Sequence, residues 1–205
     1  MYRHFIKRIF DIILALIILL FWFIILIVIA PLIYFEDKGT IFYNAPRLGK
    51  DGKIFKMFKF RSMKMKAPDI RNEDGSTFNS KDDPRLTRIG KFIRKTSLDE
   101  TPQLLNVLKG DMSFIGPRPD LPDALNIFEG NERRKLEVLP GITGFSQAYY
   151  RNDVSLHERF QQDIYYVDNL CFILDINIFF KTISTVLSHK SIYRNQSGKG
   201  MGGSL

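Results

Sequence analysis

The sequence predicts an α+β fold that is mostly helical, with an N-terminal membrane helix, a small β-hairpin and a compact helical domain that carries amphipathic interfacial helices. Three observations support this prediction. Residues 12–35 contain no charged side chain, two short alternating segments flank an Asp-Gly turn, and apolar residues recur at helical spacing from Leu86 onward. We therefore divide the chain into a membrane anchor (1–36), a folded domain (37–190) and a flexible Gly- and Ser-rich tail (191–205).

The uncharged run is long enough to cross a bilayer, because a spanning helix needs about 20 apolar residues. Basic residues flank the run on both sides, namely Arg3, Lys7, Arg8, Lys38, Arg47, Lys50, Lys53, Lys56, Lys59 and Arg61. Positive charge favours the cytoplasm, so both ends are expected on the same face. This pattern predicts a re-entrant hairpin with two legs of about 12 residues, each about 18 Å long. A single spanning helix is the alternative, because the only proline of the run, Pro31, lies near its end.

The composition restricts the partners that the protein can have. The formal net charge is +8 and the pI about 9.5, so we expect anionic partners: nucleic acid, lipid headgroups or phosphorylated small molecules. The single cysteine, Cys171, excludes a disulfide framework and a cysteine zinc site within these residues. The three histidines are scattered along the sequence, and we interpret none of them as a metal ligand.

After the anchor, residues 40–44 and 54–60 are predicted strands, joined by the turn at 49–52. The second strand alternates aromatic with basic or Met residues. That pattern suits nucleic-acid binding, and equally a half-buried strand near lipid headgroups. Residues 64–84 are polar and turn-rich, which predicts either a functional loop or an insertion.

The most informative stretch is residues 96–103, where Asp99 and Glu100 stand side by side. Several cations precede the pair: Arg85, Arg88, Lys91, Arg94 and Lys95. In one interpretation Ser97 and Glu100 form a capping box. In the other, Thr101 is the N-cap and Pro102 the first helical residue, which places both carboxylates in the corner between two helices. The sequence leaves both interpretations open.

A loop rich in Gly and Pro follows at residues 109–119. Pro117 and Pro119 fix the backbone on either side of Arg118. A guanidinium held in this way suits bidentate phosphate binding. A structural turn in which Arg118 pairs with a carboxylate is the alternative.

The remaining chain is predicted to be helical. We expect a polar helix at 122–138 and a tight turn at 140–144, whose glycines allow close backbone approach. We also expect a helix that a Ser155 capping box opens and that runs to about 169. Residues 170–187 are apolar at helical spacing but too polar to span a membrane, which predicts an interfacial or core helix.

Five segments, in this order, carry a family resemblance: Lys7-Arg8-x-x-Asp11, Phe58-Lys59-Phe60-Arg61-Ser62-Met63, Ser97-Leu98-Asp99-Glu100-x-Pro102-Gln103, Leu108 through Pro119, and Pro140-Gly141-Ile142-Thr143-Gly144. Together they resemble the small monotopic polyprenyl-phosphate phosphoglycosyl transferases. These are the bacterial sugar transferases that initiate O-antigen, capsule or glycoprotein glycan assembly. The resemblance extends from residue 1 to about residue 187.

The resemblance implies a reaction and a site. Enzymes of this family transfer a sugar 1-phosphate from a UDP-sugar to undecaprenyl phosphate and release UMP. It implies that Asp99 is the nucleophile that forms a covalent phosphosugar intermediate and that Glu100 binds Mg²⁺. Arg94 matches the basic residue ahead of the pair.

The remaining implied roles concern the substrates and the membrane. Pro117, Arg118 and Pro119 are expected to contact the uridine nucleotide, and Lys59 and Arg61 are assigned to substrate binding. The resemblance further implies a catalytic domain at 37–190, held by a re-entrant helix on the cytoplasmic face of the inner membrane. No nucleic-acid partner is expected.

The sequence departs from the family pattern at two places. Trp22-Phe23-Ile24 stands where the family usually has a Ser-Pro pair that bends the membrane helix, and Thr101 replaces a frequent Leu. Two other functions compete with the enzyme hypothesis. A membrane-tethered nucleic-acid binder would use the net charge without needing Asp99, and a scaffold would tolerate its loss.

Overall fold

The structure, a computed structural model, describes residues 2–70, 78, 80, 82–150 and 154–187. Its helices are α1 (Lys7–Asp37), α2 (Arg88–Lys95), α3 (Gln103–Lys109), α4 (Phe145–Tyr149), α5 (Leu156–Asp168) and α6 (Phe172–Leu187). Its strands are β1 (Phe42–Leu48), β2 (Ile54–Phe60), β3 (Ser113–Ile115) and β4 (Gly141–Thr143). The predicted α+β, mostly helical class is confirmed. The predicted tail, and the central part of the predicted loop at 64–84, lie outside the described residues.

Helix α1 differs from the predicted hairpin. It is a single α-helix that continues through Pro31, preceded by one turn of π-helix at Tyr2–Ile6. The prediction of a turn between two legs of a re-entrant hairpin is therefore wrong, because Lys7–Asp37 is one continuous helix. The physical reason lies in residues 20–23, which contain no Gly or Pro to break the helix.

One narrow stripe of α1 packs on the rest of the protein. Ala15, Trp22 and Ile29, which are spaced by seven residues, are buried, whereas Leu20 and Ile27 are largely exposed. A seven-residue repeat keeps one side of a helix facing the same neighbour. The helix is long and apolar enough to cross a membrane. Among the described residues, few pack on the apolar surface of this helix, so most of that surface is exposed.

The two ends of α1 hold two helices of the domain. Near its end, Glu36 accepts the backbone N–H groups of Arg88 and Ile89 (2.6 and 3.1 Å) at the start of α2. Near its start, Arg8 donates to the carbonyls of Val107 and Leu108 (2.6 and 3.0 Å) at the end of α3. An anion at a helix N-terminus and a cation at a C-terminus both complement the helix dipole. Helix α1 therefore fixes the outer ends of α2 and α3.

The predicted β-hairpin is present. Strands β1 and β2 pair antiparallel in a register that runs from Phe42 opposite Phe60 to Leu48 opposite Ile54. The fully buried Asn106 of α3 joins the hairpin to the helix, since its side-chain oxygen accepts from Phe58 N (2.9 Å). Trp22, Ile29, Phe60, Ile93 and Leu104 form the core between α1, β2, α2 and α3.

Strands β3 and β4 form a parallel pair that the sequence analysis did not predict. The expectation of a tight turn at 140–144 is wrong, because Gly141 begins a strand that pairs with Ser113. A Cβ at Gly141 would clash with the backbone of Gly116. The predicted close backbone approach at the glycines is therefore confirmed, but it occurs between paired strands and not within a turn.

The prediction of a polar helix at 122–138 is also wrong. Two 3₁₀ segments, Pro122–Asn126 and Glu132–Glu137, lie there. Between them Gly130 takes a left-handed conformation with φ +49°. A residue in that conformation ends a right-handed helix.

The last two helices agree with the sequence. Ser155 and Glu158 form the predicted capping box at the start of α5. In α6, the buried Asp175 accepts from Lys7 Nζ (2.7 Å) and from the Tyr166 hydroxyl (2.7 Å), which joins the helix to the N-terminus. Ile173 and Phe180 of α6 are exposed, so the helix is amphipathic. Its contact with a membrane interface stays a prediction.

Candidate active site

Asp99 and Glu100 lie in a single 3₁₀ turn, Leu98–Glu100, between α2 and α3. Ser97 precedes it in a left-handed conformation with φ 57°. An N-cap residue has an extended backbone, so the Ser97 capping box is wrong. Thr101 is not the N-cap of α3 either, because its backbone is helical and Pro102 intervenes before the helix. The placement of both carboxylates in a corner between two helices is confirmed. We call residues 97–101 the acidic corner.

Two cations reach the acidic corner from other parts of the fold. Lys59 Nζ of β2 lies 2.6 Å from Glu100 Oε1. The guanidinium of Arg118, in the loop after β3, lies 3.8 Å from the same oxygen. Residues that are 41 and 18 positions from Glu100 in the sequence therefore meet at one carboxylate.

Arg94 is the third cation. It lies in the last turn of α2, and its charge lowers the pKa of both Asp99 and Glu100. Its Nη1 atom is buried and has no hydrogen-bond partner among the described residues. A buried donor without a partner is costly, which makes this nitrogen suited to receive an anion.

The two carboxylates have opposite pKa shifts. Burial raises the pKa of Asp99 to about 6, and the adjacent Glu100 charge adds to this effect, while Lys59 and Arg94 oppose it. Burial would also raise the pKa of Glu100, but Lys59, Arg118 and Arg94 together lower it to about 2. Near pH 7 both groups are therefore ionised, with Asp99 as the more basic carboxylate. Such divergence within one pair is typical of functional sites.

The loop that carries Arg118 is fixed at both sides. Before it, Gly116 N donates to Thr143 O and Gly141 N to Pro117 O, each at 2.9 Å. After it, the Asp120 carbonyl accepts from Leu48 N (2.9 Å). Arg118 itself is 42% exposed in its side chain. The loop therefore presents an accessible guanidinium from a fixed backbone, with Pro117 and Pro119 on either side.

A second ionic cluster supports the same loop. Lys135 Nζ contacts the carboxylates of Asp120 and Asp163, and Arg159 lies 3.3 Å from Asp120 Oδ1. We call these four residues the Lys135 cluster. Sequence reasoning missed it, because Lys135 lies in a polar segment with nothing to distinguish it from a solvated lysine.

Arg61 is not part of the acidic corner. Its guanidinium binds both carboxylate oxygens of Asp37 at 2.6 Å, and also donates to the carbonyls of Thr40 and Met63. Arg61 therefore joins the end of α1 to the end of β2. Of the residues selected from the sequence, the structure brings together Lys59, Arg94, Asp99, Glu100 and Arg118.

The acidic corner could hold a divalent cation. Within the described ranges, no group of three or more Asp, Glu, His or Cys side chains forms a complete metal cage. Mg²⁺ is usually bound by one or two carboxylates, together with water and substrate phosphates. Glu100, a single carboxylate that is ionised near pH 7, fits that ligand requirement.

Comparisons with known proteins show the family to which the sequence is similar. Residues 2–189 match the family model described as bacterial sugar transferase. The undecaprenyl-phosphate galactose phosphotransferase of Salmonella typhimurium is 41% identical over 207 residues, which cover 93% of this chain and 42% of that protein. The uncharacterized sugar transferase EpsL of Bacillus subtilis is 40% identical over 186 residues, covering 91% of this chain and 89% of that protein.

A third relative comes from Aeromonas hydrophila. This UDP-N-acetylgalactosamine-undecaprenyl-phosphate N-acetylgalactosaminephosphotransferase is 37% identical over 190 residues, covering 90% of this chain and 44% of that protein. The chain thus spans less than half of the Salmonella and Aeromonas relatives and about nine tenths of the Bacillus one. Since the family model extends over nearly the whole sequence, the chain belongs to the bacterial sugar transferase family.

Proposed function

We propose that this protein transfers a sugar 1-phosphate from a UDP-sugar to undecaprenyl phosphate and releases UMP. The observation that carries the proposal is the acidic corner, in which two carboxylates of opposite pKa shift lie among Lys59, Arg94 and Arg118. The names of the Salmonella and Aeromonas relatives include undecaprenyl phosphate, which supports this acceptor.

In the first step, a carboxylate oxygen of Asp99 attacks the phosphorus that carries the sugar. A bond forms between that oxygen and phosphorus, and the bond from phosphorus to the bridging oxygen of the diphosphate breaks. UMP leaves with the electron pair. The raised pKa of Asp99 supports this role, because a more basic carboxylate is a better nucleophile and is still ionised near pH 7.

In the second step, a phosphate oxygen of undecaprenyl phosphate attacks the same phosphorus. The bond between phosphorus and Asp99 breaks, and the aspartate is released as a carboxylate. The product is a sugar linked to the lipid through a diphosphate. Two steps through a covalent intermediate divide one transfer between two bulky anions.

The cations have the role of offsetting charge, since an anion must approach a diphosphate. Arg118, and the Arg94 nitrogen that has no partner among the described residues, would donate to phosphate oxygens. Lys59 holds Glu100 in its ionised form. Glu100 would hold Mg²⁺, which when bound neutralises negative charge on the diphosphate.

The membrane helix would bring the acidic corner to its lipid substrate. Both ends of α1 contact the same domain, through Arg8 and Glu36. This arrangement supports a monotopic protein in which α1 enters the cytoplasmic leaflet alongside the domain instead of crossing to the other side. The reaction would then be the first membrane step of a bacterial polysaccharide or glycoprotein pathway.

A UMP-release assay tests the proposal. Purified protein in detergent is given undecaprenyl phosphate and a panel of UDP-sugars, with and without Mg²⁺. We expect UMP release with one of the sugars, dependent on Mg²⁺. With donor alone, mass spectrometry should detect a phosphosugar adduct on Asp99. An adduct on another residue, or turnover without any adduct, would contradict the mechanism.

A further inference from the structure

Helix α1 is apolar, but one of its buried side chains, Trp22, carries a polar N–H group. Trp22 is at the centre of α1, is 3% exposed, and contributes to the core beneath the acidic corner. An indole N–H in apolar surroundings needs an acceptor, because an unsatisfied donor there is costly. The identity of its acceptor decides what this residue does.

The acceptor is the hydroxyl of Thr101, the last residue of the acidic corner. Trp22 Nε1 lies 3.1 Å from Thr101 Oγ1, and the same hydroxyl lies 2.8 Å from the Leu98 carbonyl. A hydroxyl donates one hydrogen bond and accepts up to two. Thr101 therefore accepts from Trp22 and donates to Leu98, which adds a second hydrogen bond to the carbonyl that the Thr101 backbone N–H also reaches (3.2 Å) across the 3₁₀ turn of Asp99 and Glu100.

The same indole also packs on strand β2, which carries Lys59, the partner of Glu100 in the ion pair. Its ring stacks on Phe60, with centroids 6.3 Å apart and an interplanar angle of 19°. Phe60 is the neighbour of Lys59 in β2, just as Thr101 is the neighbour of Glu100. One side chain thus contacts the residues next to both members of the Lys59–Glu100 pair.

The acidic corner needs such support because its backbone is strained. Ser97 has a positive φ of 57°, a conformation that is unfavourable for residues other than glycine. Such a conformation persists only where the surroundings hold it. The side-chain hydrogen bonds from Trp22 to Thr101 and from Thr101 to Leu98 reinforce the backbone hydrogen bonds of the turn that follows Ser97.

We propose that Trp22 and Thr101 are positioning residues of the reaction, which transmit the position of the membrane helix to the catalytic pair. The inference rests on the proposed function. It means that α1 is part of the catalytic apparatus as well as a membrane anchor.

The test is a double-mutant cycle on UMP release, with Trp22→Phe, Thr101→Val and the double variant. Trp22→Phe keeps an aromatic ring and removes the N–H, and Thr101→Val keeps the shape and removes the hydroxyl. We expect each single variant to lower kcat about tenfold with little change in KM for the UDP-sugar. The double variant should be no slower than the slower single variant, because both substitutions break the same chain of hydrogen bonds. Thr101→Ser should restore kcat.

Thr185→Val is the matched control. The Thr185 hydroxyl also donates to a helix carbonyl, Ala148 O, at 3.3 Å, but this bond joins α6 to α4. The substitution should leave kcat unchanged. Multiplying losses in the double variant, or full kcat in both single variants with only a lower melting temperature, would overturn the inference. Those outcomes leave the proposed function intact if the wild-type protein releases UMP, whereas absence of UMP release by the wild type refutes the proposed function itself.

Discussion

The acidic corner and the Lys135 cluster both combine two buried or half-buried carboxylates with cationic side chains, but their balance of charge differs. In the Lys135 cluster, Asp120 and Asp163 face Lys135 and Arg159, so two negative charges meet two positive ones. In the acidic corner the same number of carboxylates faces three cations, Lys59, Arg94 and Arg118. Of these two regions, only the acidic corner has an excess of positive charge that could bind an anionic ligand.

Exposure separates the two regions as well. The Lys135 side chain is 1% exposed, whereas that of Arg118 is 42% exposed. Burial also raises the pKa of Asp163, so a perturbed carboxylate by itself does not distinguish a site from a structural ion pair. A cation in excess of the carboxylates, exposed to solvent as Arg118 is, does distinguish a site from a structural ion pair. The four predictions that follow test this difference.

The largest effect is expected at the proposed nucleophile. Asp99→Asn preserves the size of the side chain but removes the attacking carboxylate, so UMP release should fall by at least about a thousandfold. The covalent adduct should be absent from mass spectra. Asp168→Asn is the control, because this carboxylate forms an exposed ion pair with Arg134 and should retain turnover. Full turnover in the Asp99 variant would show that the acidic corner has no nucleophilic role.

A substitution in the Lys135 cluster is expected to lower the stability of the protein. Lys135→Met leaves Asp120 and Asp163 buried without their shared cation, which typically costs about 3–5 kcal/mol. We expect a melting temperature lower by roughly 10 °C in detergent. Lys109→Met provides the comparison, since Lys109 also pairs with a carboxylate, Asp111, but its side chain is 61% exposed. That variant should lose less than about 1 kcal/mol. Equal melting temperatures of the two variants would mean that burial of the cluster contributes nothing.

A substitution of Arg118 tests the accessible cation. Arg118→Ala should raise KM for the UDP-sugar about tenfold or more, because it removes a donor to phosphate, and it should change the melting temperature little. Arg134→Ala is a close control, as the Arg134 side chain is equally 42% exposed and also pairs with carboxylates. An unchanged KM in the Arg118 variant would remove this residue from the binding site.

Local sequence signals predicted the elements that local interactions determine. The Asp-Gly turn of the hairpin, the apolar period of α2 and the Ser155 capping box are each encoded within a few residues. The adjacent pair Asp99 and Glu100 and the run Pro117-Arg118-Pro119 were recognisable for the same reason. The family resemblance, and not a local signal, joined them into one site.

Long-range contacts account for what the sequence analysis missed. The β3–β4 pairing joins residues 113 and 141, and strands of three residues are too short to show an alternating pattern. The Lys135 cluster depends on three separate segments, and its lysine looks like any surface lysine until those segments meet. The bond from Trp22 to Thr101 spans 79 residues and involves an aromatic residue in an apolar run.

The last prediction concerns the stability of the acidic corner itself. The pKa of Asp99 is raised to about 6 in the folded protein from an ordinary 3.8, so folding disfavours its ionised form. The cost of holding this charge is absent below about pH 4 and complete above about pH 6, where it amounts to about 2–3 kcal/mol. Asp99→Asn should therefore stabilise the protein at pH 7.5, and this gain should shrink toward zero as the pH falls to 4. Melting temperatures of both proteins across this range provide the measurement. A gain in stability that persists at pH 4 would mean that burial does not raise the pKa of Asp99, and would argue against its role as a basic nucleophile.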